Sequence, residues 1–105
     1  MITTDEIERA LHFLIDSAKE AAQNRANRIY LEEYRKSLKA QIMSQHQDLA
    51  VNAQEREAYK NVEYITHLED MKQAIYEDEK IRFLIEAAKV KISVWQTMAK
   101  LEANV

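Results

Sequence analysis

The chain reads as an all-α protein, and three observations carry that reading. Its 105 residues include no glycine and no proline, the two residues that end helices and build tight reversals at least cost. At average usage a globular domain of this length would hold about a dozen of them. Apolar residues recur at intervals of three and four over most of the length, which is helical spacing. The N-terminal residues also carry a helix-start signature. The expected architecture is a long antiparallel helical hairpin, with helices over about 4–45 and 62–103 and a short helix in the connection, in a single domain 1–105.

The first helix starts at a capping box. In Thr3-x-x-Glu6 the threonine oxygen can accept from the Glu6 amide and the glutamate can reach back. Ile2 and Ile7 occupy hydrophobic-staple positions, and Asp5, Glu6 and Glu8 suit the positive end of the helix dipole. The stripe then runs Ile7, Leu11, Leu14/Ile15, Ala18, Ala22, Ala26, Ile29, Tyr30, Tyr34, Leu38 and Ile42, with no breaker before about Gln45. From Ser44 to Asn61 the pattern is interrupted. Gln45-His46-Gln47-Asp48 reads as loop, and Asn52-x-x-Glu55 offers a capping signal for a short helix near Ala53 to Tyr59. Asn61 suits either the end of that helix or the cap of the next. The last helix carries Ile65, Leu68, Met71, Ile75, Ile81, Leu84/Ile85, Ala88, Ile92, Trp95 and Met98/Ala99.

Neither long helix can bury its stripe alone. Folding them back on each other sets Met43 near Tyr64 and Ile7 near Leu101. It also sets Ala18, Ala21 and Ala22 near Ala87, Ala88 and Val90. In the same register Arg25, Arg28, Arg35, Lys36 and Lys39 oppose Glu69, Asp70, Glu77, Asp78 and Glu79. Opposite charges across such a pair set orientation more than they stabilise. The expected hairpin or oligomer core is Ile7, Leu11, Leu14, Ala18, Ala22, Ile29, Ile85, Ala88, Ile92 and Trp95. Phe13-Leu14-Ile15, Ile29-Tyr30-Leu31 and Phe83-Leu84-Ile85 each spread about 200° around a helix, more than one seam covers. A second copy is therefore expected to bury the outer face, with a dimer favoured.

Composition narrows the function. Fifteen Lys and Arg against 18 Asp and Glu give a formal charge of −3, too mild to dictate a nucleic-acid or membrane partner. With no cysteine, thiolate and disulfide chemistry are excluded. No leader-like or membrane-spanning stretch is visible, so a cytoplasmic location and no membrane partner are expected.

Candidate chemistry is thin. Glu8, His12 and Asp16, and likewise Glu63 and His67, have helical spacing suited to a metal, but the paired Glu-x-x-His motifs of di-iron bundles are missing. A charged face is the better reading, and no metal or cofactor is expected. Ser17, Ser37, Ser44 and Ser93 form no readable nucleophile constellation, and without glycine there is no phosphate-cradling loop. The chain is expected not to be an enzyme. Arg25, Arg28, Arg35 and Lys39, near Tyr30 and Tyr34, form a candidate nucleic-acid face, on which arginines would neutralise phosphates and tyrosines stack on bases. Against it stand Glu32, Glu33 and the acidic stretch of the last helix. Gln54, Glu55, Arg56 and Tyr59, the least repetitive surface, are the candidate partner contact.

Three stretches, YLEEYRKSLKA (Tyr30 to Ala40), AQEREAY (Ala53 to Tyr59) and AAKVKISVWQT (Ala87 to Thr97), together resemble a group of small bacteriophage and prophage helical proteins. These are encoded near single-strand-annealing recombination and single-stranded-DNA-binding genes. The resemblance implies a setting, phage DNA metabolism in a bacterial host, and a protein partner there, but no residue-level activity. The expected function is a non-catalytic interaction or accessory protein acting through self-association and partner docking. The alternatives are a single-stranded nucleic-acid-binding accessory protein and a small phage assembly component.

Overall fold

The structure, a computed structural model, describes residues 1–104. Among them are four helices and no strand: α1 Thr4–Asp16, α2 Ala18–Ser44, α3 Val51–Lys60 and α4 Val62–Ala103. No described residue has a positive φ, so no turn in the fold calls for glycine. The chain divides into two compact units, one of Met1–Gln23 with Glu79–Val105 and one of Asn24–Asp78.

In the first unit, α1 starts as its capping box dictates. The Thr3 side chain accepts from the Glu6 amide at 3.2 Å. The expected unbroken first helix is instead divided at Ser17. That residue sits in the bridge region (φ −89°, ψ −3°), and its hydroxyl donates to the Phe13 carbonyl. Serine back-bonding of this kind competes with regular helix geometry. Ile7, Ala10, Ser17, Ile81 and Ala88 are buried, and Leu14, Ala21, Ile85, Ile92 and Trp95 are half-buried. Along each helix these follow alternating steps of three and four. The expected core members Leu11, Ala18 and Ala22 are exposed. The inward stripe runs through Ala10, Ser17 and Ala21, and a shallow groove holds Ala10 together with Ala87 and Ala88, where Ala18, Ala21 and Ala22 are the expected partners. Leu101, the expected neighbour of Ile7, is exposed.

The second unit is an antiparallel hairpin. Inward positions of α2 are Asn24, Arg28, Leu31, Tyr34, Leu38 and Ile42; those of α4 are Tyr64, His67, Met71, Ala74 and Asp78. Asn24 bonds the Glu77 carbonyl, Leu31 meets His67, and Ile42 clusters with Tyr64. Partner numbers fall as α2 numbers rise, which is the antiparallel sense. The closed end holds an apolar cluster of Leu38, Ile42, Ala58 and Tyr64, with Tyr34 and Met43 against it. Met43, expected near Tyr64, packs against the cluster to which Tyr64 belongs. Ile29, expected in the core, is exposed, as are Ile65 and Leu68 of the expected α4 stripe. Polar residues take the inward places instead.

Between the hairpin arms, four-residue turns close Ile42 to Gln45, Met43 to His46 and His46 to Leu49. The short helix α3 brackets the expected span, but its cap is Ala50, which has no capping side chain, and not Asn52. The Gln54 amide donates to the Leu49 carbonyl at 2.8 Å and ties the entry instead. Asn61 alone separates α3 from α4. It is extended (φ −69°, ψ 136°), and its Oδ1 accepts from the Glu63 amide at 2.8 Å, so it caps α4 and is not left-handed.

Candidate interaction surfaces

Polar side chains are built into the inner stripe of the hairpin unit, and each is satisfied. Arg28 Nη1 donates to Asp78 Oδ2 at 3.0 Å, with the Asp78 side chain only 3% exposed. Arg28 Nε donates to Glu32 Oε1 at 3.0 Å. His67 is buried, with Nε2 2.6 Å from the Leu31 carbonyl oxygen. A carbonyl only accepts, so the proton of neutral His67 belongs on Nε2. Among the described residues no buried side-chain nitrogen or oxygen lacks a partner.

These contacts divide the candidate nucleic-acid residues. Arg28 is half-buried and paired inward, while Lys39 turns toward α3. Arg25 and Arg35 are exposed. The four therefore do not form one outward basic face. Tyr30 and Tyr34 stack on each other at 5.9 Å between centroids, and Tyr34 tilts against His67 at 5.5 Å. Of the acidic stretch expected to face these bases, Asp78 makes a direct ion pair with one of them, Arg28. Lys36 pairs locally with Glu33, and Lys39 lies 4.0 Å from Glu55.

The candidate partner residues serve mainly to hold α3. Lys39 Nζ donates to the Tyr59 hydroxyl at 2.8 Å and lies 4.8 Å from the centroid of that ring, which in turn packs edge-on against Tyr64 at 5.6 Å. Tyr59, accepting from the ammonium, holds Lys39 above the ordinary lysine range; partial desolvation opposes this, and Glu55 adds to it. Gln54 is spent on the Leu49 carbonyl; Arg56 and Tyr59 are the exposed members of the four. Removing the acceptor in Tyr59→Phe moves the Lys39 titration down, read by NMR at Nζ. The sign follows from the raised value: the link stabilises the fold below the unfolded-chain lysine pKa and is lost as pH rises through the folded one.

Among the described residues no three His, Asp or Glu side chains come together as a metal cluster. Glu8, His12 and Asp16 line one shallow groove of α1, whereas the His67 ring is turned inward. The first unit carries a second groove of about 280 Å³ between α1 and α4, lined by Glu6, Arg9 and Phe13 on one side and Leu84, Ala87 and Lys91 on the other. Among the described residues no helix is long and apolar enough to cross a membrane.

Large apolar side chains stand outside both units. In the first, Ile15 is 74% and Phe83 69% exposed, joined by Leu11, Leu84, Val90, Val94, Met98 and Leu101. In the second, Ile29, Tyr30, Val51, Val62 and Ile65 are exposed. The outer α1 residues are the ones an apolar count takes for the core. The polar inner members Ser17, Asn24, Arg28, His67 and Asp78 are what such a count misses; in the hairpin unit, strict seven-residue spacing at 24, 31 and 38, at 64, 71 and 78 and at 67 and 74 is the signal that finds Asn24, Asp78 and His67. No protein family model, no curated protein and no solved structure matches this chain.

Proposed function

We propose that this chain is a non-catalytic helical accessory protein that works by associating with itself and docking on a partner. The observation that supports it is the set of large apolar side chains left outside the inner stripes, with Ile15 74% and Phe83 69% exposed. Contiguous apolar patches beyond a few hundred Å² mark interaction sites on soluble proteins. The resemblance of the Tyr30–Ala40, Ala53–Tyr59 and Ala87–Thr97 stretches to small phage proteins supports a setting in phage DNA recombination or replication, in the host cytoplasm. The pairing of Arg28 and Lys39 gives the nucleic-acid reading no added support.

Light scattering at micromolar concentration tests self-association: a mass of more than one chain is expected, and a single-chain mass overturns it. Affinity capture from infected cells tests the setting. A recombination or replication protein is the expected catch, and virion proteins alone would replace this role with assembly.

A further inference from the structure

Self-association leaves open which surface meets which, and the first unit holds the information. α1 and the start of α2 present one apolar stripe, Leu11, Ile15, Ala18 and Ala22, all exposed. The C-terminal part of α4 presents another, Phe83, Val90, Val94 and Leu101. Ala87 and Leu84 line the groove with Phe13. Val94 and Leu101 lie seven and fourteen residues beyond Ala87, and so share its side of the helix. Leu11 and Ile15 are each two residues from Phe13, about 160° around the helix from it. The α4 stripe therefore opens beside the groove, and the α1 stripe opens on the far side of the same unit.

Charge names the partner of each stripe. Residues 1–23 carry five acidic side chains against two basic, while residues 79–105 carry five basic against three acidic. An α4-on-α4 contact sets basic against basic, and α1-on-α1 sets acidic against acidic. Only α1 on α4 is complementary in both charge and apolar pattern. Two stripes on opposite sides of one body cannot both be buried by a single two-fold contact. Complementary patches of that kind join heterologously, and such contacts close into rings or run on as filaments.

Resting on the self-association reading, we infer that copies of this chain join head to tail, the Leu11–Ile15 stripe of one seated on the Val90–Val94 stripe of the next. The favoured dimer of the sequence reading then gives way to an assembly of three or more chains.

Sedimentation velocity on three proteins tests this. The unaltered chain is expected at three or more copies. Leu11→Glu with Ile15→Glu blocks one stripe, and Val90→Glu with Val94→Glu blocks the other. Each blocked protein is expected as a single chain, and a one-to-one mixture as a pair that grows no further. An unaltered chain that stops at two copies overturns the head-to-tail joint and leaves self-association standing; an unaltered single chain removes self-association itself. A blocked protein that still multimerises, or a mixture that stays unpaired, also overturns the joint. Circular dichroism confirms that the blocked proteins keep their helices. Should either lose them, cross-linking decides, since the chain has no cysteine of its own. Ile15→Cys and Val90→Cys copies, mixed and oxidised, are expected to link to each other several-fold more than to themselves, and equal linking in all combinations overturns the joint.

Discussion

Replacing Ile42 by alanine lowers the unfolding free energy by about 3 kcal/mol, within the range for removing a buried isoleucine side chain down to Cβ. Ile42 is 1% exposed and belongs to the cluster of Leu38, Ala58 and Tyr64, so the missing atoms leave a void bordered by three elements. The effect spreads to α3. A ten-residue helix does not hold itself in water. Ala58, wholly buried, is the α3 member of this cluster. Urea denaturation followed by circular dichroism gives the loss. Hydrogen exchange gives its location, with faster exchange at α3 amides expected ahead of the rest. Val62→Ala is the control: that side chain is 77% exposed, and its truncation is expected to stay within about 0.5 kcal/mol. An Ile42→Ala loss no larger than the control would mean that the cluster does not hold the closed end.

Asp78→Ala is expected to cost about 3 kcal/mol by a different route. The carboxylate is almost fully enclosed and takes one of Arg28's hydrogen bonds at 3.0 Å. Removing it strands part of a half-buried guanidinium, and breaking one side of a buried pair costs more than the pair contributes. Glu32 still holds Nε, which keeps the loss from the top of the range. Replacing both partners, Arg28→Met with Asp78→Leu, is expected to recover most of the stability, because neither charge then needs a partner. A double-mutant cycle in urea reads the coupling. If the double replacement is as unstable as Asp78→Ala alone, the ion pair is not the cause.

Helix class, the closed end and the short connecting helix were legible because each rests on local chemistry. Thr3 and Glu6 announce a start, and Asn61 announces a cap. Face assignment was harder. Apolar counting reads Leu11, Ala18, Ala22 and Ile29 as inward, and each of the four is exposed. Inward places are held by Ser17 in the first unit and by Asn24 and Arg28 in the second, where Phe13, Glu77 and Asp78 supply partners to their polar groups. Those partners lie up to about fifty residues away in sequence, beyond what periodicity can express. The same limit applies to Lys39. Its spacing allies it with Arg25, Arg28 and Arg35, while its hydrogen bond is to Tyr59, on another helix.

The absence of positive φ has a consequence for how this chain can change. No described residue enters the positive-φ region, so each backbone place is open to chiral residues other than proline. No site is reserved for a particular residue by its main-chain torsions. A full alanine scan would therefore measure side-chain energetics with almost no conformational-strain component. Over generations such a chain can exchange most outward letters while keeping its form, until very little shared spelling is left to betray common descent.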